Sequence, residues 1–439
     1  MHLNNLIYSF IPLKKALPAK TNMFFNRKLH GGALYIAILV SIVIGIILCL
    51  FILLARYNQR HVTVYTQNAQ LYYNLQSAFE ISQSAYFTKD KNNTWIKNTV
   101  NDDSTKIKKQ QWGAYLLISA VTKNRHRYLS QAGLYGIAMS PDTGLLVADN
   151  SRPVGLSGTI IFRSNCYLPK AGIKPAYVEG QSYNGNTQNN AFIKTGAYQV
   201  PAASETLIAA LQELQGHANP DADSITGSLP GIFSRSFASK TVAWQTSAAK
   251  LSGMRLENNI KIICGDVEID SSCHLQNVLI ICNKVRFKEA FKGKVHVIAR
   301  DSIVCEKKCV FNYPSSFVLL PGNKNSEELL YIQFNEDCKF TGGILALNTQ
   351  ESRQKVFIKL HAKSEINGFL YSSGYLHLEG TVNATAICNK LMLKTPSAVY
   401  ENHILGCSID AGKYAHLLAV PLIFKKYSKL LCCENIHEI

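Results

Sequence analysis

The chain has 439 residues, of which 47% are hydrophobic and 17% charged, and its formal net charge is +17. This length exceeds one ordinary core and suggests two or three domains, and the apolar content excludes an intrinsically disordered chain. The basic excess is thinly spread, and no helix-turn-helix, zinc-finger or RNA-binding signature accompanies it. We therefore expect no nucleic-acid partner.

A long uncharged segment follows a basic start. Residues 1–32 are predicted to be a cytoplasmic stub or leader, and residues 33–55 a transmembrane helix in the lipid bilayer. Sixteen of those 23 residues are Leu, Ile, Val or Phe. As a helix they would be about 34 Å long, enough for a ~30 Å hydrocarbon core. A cleaved signal peptide is less favoured, because the apolar run is long and no A-x-A site follows.

Flanking cations set the expected orientation. Residues 1–30 hold five Lys or Arg and residues 56–85 hold two, Arg56 and Arg60. The positive-inside rule then places the N-terminus in the cytoplasm and the C-terminal region in the periplasm, on a single-pass inner-membrane protein. If Met23 is the true start, the count becomes two against two. The five cations are Lys14, Lys15, Lys20, Arg27 and Lys28.

Residues 56–88 are predicted to continue as a stalk helix, because Leu71, Leu75, Ala78 and Ser82 fall at helical spacing. A long helix, apolar and then amphipathic, after a short basic leader resembles the plan of minor pilins and pseudopilins. The resemblance covers about 60 residues and implies cleavage near residues 31–32. The chain departs from the pilin pattern in having no Glu between residues 31 and 79.

The next part of the chain is predicted to be a β-rich region over residues 110–200, followed by a helix and loop insertion over 201–240. Short apolar runs divided by Gly, Pro, Asn and Asp indicate the strands. Ser204 is the expected helix N-cap. In the loop, Asp221 and Asp223 do not complete an EF-hand pattern, so a polar loop is preferred to a calcium site. The expected apolar stripe and stop are Leu207, Ala210, Leu211, Leu214 and Gly216.

Residues 241–412 are predicted to form a right-handed β-solenoid, and residues 413–439 a C-terminal tail. On a period of 18 residues, three apolar columns align, with rungs expected ~4.8 Å apart. An irregular stretch near 311–355 interrupts the pattern. The columns are Val267, Val285 and Ile303; Ile269, Phe287 and Cys305; and Cys273, Phe291 and Cys309.

A six-residue period follows in residues 366–393. Small residues at Gly368, Gly374 and Gly380 suit corners, and Leu370, Leu376, Val382 and Cys388 suit the inside. These segments resemble the bactofilins, the polymer-forming class of bacterial β-helix proteins. That resemblance implies a scaffolding role without a cofactor.

The tetrapeptide ICNK occurs at residues 281–284 and again at 387–390. Both copies are predicted to be solenoid corners, with Asn283 and Asn389 as turn residues rather than ligands.

Twelve cysteines leave three interpretations open. Most lie in columns otherwise filled by Val, Ile or Phe, which favours buried thiols. Cys264 and Cys282 lie one rung apart, within disulfide range, and an oxidising periplasm would allow the bond. Cys305 and Cys309 have no second pair or His cluster nearby, so zinc is poorly supported.

No catalytic motif was found, so we expect no enzyme, and we predict no catalytic, cofactor-binding or metal-binding residue and no cofactor. Asp266, Glu268 and Asp270 share one side of a strand and could line a cation or sugar site, although a solubilising outer face is preferred. His296, His361 and His377 show no ligand spacing.

The sequence as a whole predicts a mainly β bacterial envelope protein, with an N-terminal transmembrane and stalk helix followed by a β-rich region that ends in a β-solenoid. The expected function is a non-enzymatic scaffold that binds envelope or surface-appendage proteins, with self-association possible. One alternative is a minor-pilin-like component of a pilus or secretion apparatus. The other is a carbohydrate-binding or carbohydrate-active β-helix protein.

Overall fold

A computed structural model describes residues 32–84, 87, 89–97, 103–125, 127–139, 141–185, 189–197, 199–216, 222–322, 329–348, 355–424 and 430–438. The leader with its five cations, the alternative start at Met23 and Asp221 lie outside these ranges. The chain divides into two units, Met1–Asn68 and Ala69–Ile439.

One α-helix, Gly32–Gln83, contains both the predicted transmembrane segment and most of the predicted stalk. Its most apolar 18-residue window has a mean hydropathy of 3.4 and is 0% buried. The helix is therefore long and apolar enough to span a membrane.

The C-terminal part of this helix, which belongs to the second unit, packs through the predicted stripe. All four side chains of the stripe are buried, which confirms the helical reading. The stripe contacts Ile107, Ile118 and Ala120 of an antiparallel sheet. The stripe residues are Leu71, Leu75, Ala78 and Ser82.

The antiparallel sheet combines strands from both ends of the second unit. The C-terminal strand pairs with Tyr128–Ala138, so residues predicted as a tail complete this sheet. A short 3₁₀ turn, Lys89–Lys91, precedes it. The strands, in chain order, are Trp95–Lys97, Ser104–Trp112, Tyr115–Lys123, Tyr128–Ala138, Ala419–Val420 and Leu430–Glu438.

The remaining strands form a closed, almost entirely parallel sheet, which is consistent with a β-helix. A first group precedes the helix Glu205–Gly216 and a longer group follows it. The first group is Thr143–Val147, Val154–Phe162, Asn165–Leu168, Ile173–Pro175, Tyr177–Val178, Gln181–Gly185 and Ile193–Thr195, with a short helix at Asn189–Phe192. The second group is Asp223–Ile225, Ile232–Arg235, Val242–Gln245, Lys250–Leu251, Arg255–Asn258, Ile260–Ile263, Asp266–Ile269, His274–Phe287, Lys292–Cys305, Val310–Leu319, Leu329–Phe334, Lys339–Ala346, Lys355–Leu360, Glu365–His377, Gly380–Lys394, Val399–Glu401, His403–Leu405 and Cys407–Ile409, with a 3₁₀ turn at Ala411–Lys413.

Strand pairing places the first group after the second in space. Ala386 pairs with Leu145, which pairs with Cys166, which pairs with Ile193. Residues predicted as one β-rich region over 110–200 therefore divide between the two sheets. The whole column of paired positions runs Ile225, Trp244, Ile262, Ile280, Val297, Phe317, Ile344, Leu370, Ala386, Leu145, Cys166 and Ile193.

The 18-residue period is confirmed where it was read. Val267 pairs with Val285, and Val285 pairs with Ile303. The stretch near 311–355 does not interrupt the sheet as predicted. Strands Leu329–Phe334 and Lys339–Ala346 continue the pairing there, and longer connections between strands lengthen the period.

The predicted corner residues fall where the strands are irregular. Gly368 and Gly380 have φ of +121° and +76°, and Gly374 lies within a register shift between Ser372 and Tyr375. A Cβ on Gly368 would lie 2.2 Å from the carbonyl oxygen of Gly342, so the close approach requires glycine.

Both copies of ICNK occupy the same corner. A register shift lies between Cys282 and Lys284 in the first copy. Cys388 of the second copy lies in the same column as Cys282, five pairings further along. The repeated tetrapeptide therefore marks corner geometry, as predicted.

One outer face of the parallel sheet is covered rather than solvated. Its apolar residues, among them Ile298, Val318 and Leu345, pack with Trp112 and Tyr115 of the antiparallel sheet. The indole Nε1 of Trp112 donates to the carbonyl of Asn277 at 2.9 Å. Strands of this face are therefore apolar on both sides.

The helix Glu205–Gly216 covers the same face. Ser204 precedes it as predicted, and its carbonyl accepts from the amide of Ile208 at 3.0 Å. Leu207 and Leu211 are buried, as the predicted stripe requires, and Ala210 and Leu214 are half-buried.

The aromatic core generates a stability prediction. Phe317 is fully buried, and its ring centroid lies 4.9 Å from those of Phe311 and Phe340. Phe317→Ala should lower the free energy of unfolding by about 3–5 kcal/mol, because a cavity replaces the ring. Urea denaturation of the detergent-solubilised chain measures it. The matched control, Ile232→Ala, removes a side chain that is 76% exposed and should change little.

Candidate functional site

The three carboxylates considered for a cation or sugar site are each paired with a cation from a neighbouring strand. Asp266 lies 4.0 Å from Lys284, and the Glu268 carboxylate lies 3.8 Å from Arg286. Asp270 lies 3.4 Å from Lys250, and hydrogen bonds from Ser272 lower its pKa first of all. This arrangement supports a charge-paired outer face, where such pairs contribute little to stability.

The three histidines lie apart from one another in role. His296 is fully buried, its Nδ1 lies 2.9 Å from the Ser316 hydroxyl, and burial lowers its pKa to about 3. The Nε2 of His377 lies 3.2 Å from Glu379, and His361 accepts from the amide of Lys363. Within the described ranges, no group of three His, Cys, Asp or Glu side chains could hold a metal ion.

All twelve cysteines lie in described parts of the chain and are free thiols. Burial raises the pKa of Cys264 to about 12 and that of Cys282 well above its usual range. Cys309 and Cys338 are hydrogen-bonded neighbours in adjacent strands, and that bond, with burial, raises the pKa of Cys309. These surroundings suppress the thiolate, so they support packing rather than nucleophilic chemistry.

The candidate site is a cleft that the sequence did not reveal, which we call the lysine cleft. It has a volume of about 160 Å³ and lies between the antiparallel sheet and the turn at 237–240. Its lining includes Lys106, Lys108, Ser119, Phe237, Ser239 and Lys240. Among the described residues that line it, none is acidic.

Strand alternation builds one wall of the lysine cleft. Lys106 and Lys108 are two residues apart in Ser104–Trp112, so they share a face. Ser119 lies opposite Lys108 in the adjacent strand, and so shares that face. The intervening Ile107 is buried on the other face, against the helix.

The opposite wall comes from the turn before Val242–Gln245. The side-chain amide of Asn259, itself fully buried, donates to the carbonyls of Ser236 and Ser239 at 3.0 Å and so fixes the turn. Phe237 is buried, and its ring centroid lies 5.2 Å from that of Trp112. This buried pair of rings makes the turn a rigid wall.

A fourth lysine lies within electrostatic range of the cleft. Lys261 is 5% exposed, in the strand Ile260–Ile263. Burial lowers its pKa to about 8, the charge of Lys108 lowers it further, and Glu213 opposes both. Positive charge is thus concentrated where only Glu213 acts against it on Lys261.

Comparison with family models, curated proteins and solved structures finds no match to this chain. The likenesses to bactofilins and pilins therefore rest on the residues alone.

Sequence reasoning missed the lysine cleft because its walls are far apart in the chain. The alternating lysines of "TKIKK" were the available signal, since they predict one cationic strand face. Nothing in the sequence places residues 237–240 opposite that face.

Lys261 generates a prediction about pH. Unfolding returns its pKa from about 8 to 10.5, so the unfolded chain takes up a proton between those values. The free energy of unfolding should therefore rise with pH across that window, and the buried ammonium should destabilise the fold below pH 8. Lys261→Met should be more stable than the native chain at pH 7, with the difference shrinking towards pH 10.

Urea denaturation at several pH values between 7 and 10 measures the effect. The exposed Lys292 provides the matched control, Lys292→Met. A difference between Lys261→Met and the native chain that stays constant with pH would contradict the assignment.

Proposed function

We propose that the chain is a non-enzymatic, membrane-anchored envelope scaffold that presents a β-solenoid outside the cytoplasm. The observation that carries this proposal is the unbroken column of paired positions from Ile225 to Ile193, which runs through both strand groups. Stacking of this kind creates an extended, rigid surface, and such surfaces commonly serve binding.

The apolar helix supports the anchor. Its large side chains from Leu34 to Leu54 are 45–69% exposed, which in water would be a severe cost. A lipid bilayer removes that cost. The count of flanking cations favours a cytoplasmic N-terminus and an inner-membrane, single-pass topology.

The closed parallel sheet supports the bactofilin-like reading as far as architecture goes. Its corners, apolar columns and 18-residue period fit a solenoid of triangular section. By resemblance we propose contacts with other envelope proteins and with further copies of the chain.

A second candidate is a minor-pilin-like component of a pilus or secretion apparatus. One observation favours it: the later part of the helix, through Leu75 and Phe79, packs on an antiparallel sheet of consecutive strands. This adds a folded contact to the apolar-then-amphipathic helix that suggested the resemblance.

The anchor is tested with two double variants of the full chain. Ile44→Arg/Ile47→Arg should shift the protein from the membrane pellet to the soluble or aggregated fraction, because each central Arg costs about 2.5–3.5 kcal/mol of insertion. Val62→Arg/Tyr65→Arg changes equally exposed residues of the same helix beyond the apolar run and should remain in the membrane. Equal behaviour of the two variants would contradict the anchor.

Protease treatment of intact spheroplasts tests the topology. We expect a C-terminal epitope to be digested before lysis, because residues beyond the helix lie outside the cytoplasm. Protection until lysis would contradict the scaffold proposal and reverse the orientation.

Mass spectrometry of the N-terminus of the membrane-extracted chain separates the two candidates. An intact leader is expected for the scaffold. Cleavage near residues 31–32 would favour the pilin-like component instead.

A further inference from the structure

The charge in the lysine cleft is not balanced by protein carboxylates. No ion pair joins Lys106 or Lys240 to an acidic side chain within the described ranges. On the outer face of the parallel sheet, by contrast, the cations Lys284, Arg286 and Lys288 all have carboxylate partners. The cleft is therefore an exception to the way this molecule distributes charge.

Concentrating like charges in a concave, partly apolar site is unfavourable without a counter-ion. The repulsion is visible at Lys261, whose pKa is lowered by burial and also by the charge of Lys108. An anion placed between these lysines would relieve the repulsion, and it would be held more strongly than on an open surface.

We propose that the lysine cleft binds a phosphoryl group, held by the ammonium groups of Lys106, Lys108 and Lys240 and by the hydroxyls of Ser119 and Ser239. These donors come from two strands and a turn on opposite walls. Donors converging from several directions suit a tetrahedral anion with three or four oxygens better than a planar carboxylate.

The size of the cleft bears on the source of that group. A volume of about 160 Å³ exceeds a single phosphate ion, so the site has room for the small polyol or sugar that carries it. Phe237 supplies an apolar wall for the carbon part. Inorganic phosphate and a phosphate ester share the chemistry that the lysines recognise.

Isothermal titration of the detergent-solubilised full chain with inorganic phosphate tests the proposal, with chloride keeping the ionic strength constant. We expect saturable binding of one phosphate per chain, weakened about tenfold by Lys240→Gln and about tenfold by Lys106→Gln. The matched control is Lys292→Gln, an exposed lysine of the parallel sheet, which should bind as the native chain does. No saturable heat, or equal binding by all three variants, would overturn the proposal.

A second arm separates ligand chemistry. Glycerol 3-phosphate should bind at least as tightly as inorganic phosphate, because the cleft has room for the glycerol, whereas glucuronate should bind at least tenfold more weakly. Equal affinity for glucuronate would overturn the phosphoryl assignment. If Lys106→Gln fails to fold, Lys240→Gln decides the test alone, because Lys240 is exposed in a turn that Asn259 fixes through backbone groups.

Discussion

Vertical registration of apolar side chains is the constraint on which this structure depends. Each strand of the parallel sheet is too short to bury its inner side chains alone, so burial comes from the strands before and after it. Phe287, Phe311, Phe317 and Phe340 show the result, because each ring packs against rings of neighbouring strands. The period can stretch where connections lengthen, provided that the inner positions stay in register.

That constraint also explains the path of the chain. A column that ended at Ala386 would leave its last apolar strand uncovered. Strands from the earlier part of the chain take that place, beginning with Leu145. The helix Glu205–Gly216 connects the earlier and later strand groups and packs on the side of the sheet that both share.

Much of the parallel sheet was predictable because inward positions repeat. The 18-residue period and the two ICNK corners both followed from spacing alone, and Cys282 and Cys388 do lie in one column. The strands of residues 143–195 escaped, because they are short and carry no period of their own. Their place is set by pairing with strands 240 residues away, such as Ala386 with Leu145, and a single sequence does not record such pairing.

The covered face was missed for a related reason. A solenoid strand with solvent outside alternates apolar and polar residues, whereas Val295–Ala299 is buried throughout. His296 fits this environment only as a neutral ring, which its lowered pKa of about 3 allows. The signal was the unbroken apolar run itself, which indicates a strand buried on both sides.

The lysine cleft follows from the same covering sheet. Strand Ser104–Trp112 must present Ile107 to the helix, so alternation turns Lys106 and Lys108 to the other face. The next residue, Lys109, points back and donates to the carbonyl of Ser82 at 3.3 Å, near the helix C-terminus where a cation is favoured. One run of three lysines in five residues thus serves two surfaces. The packing of the helix decides which lysines are left to face the parallel sheet, and so where the molecule gathers unpaired positive charge.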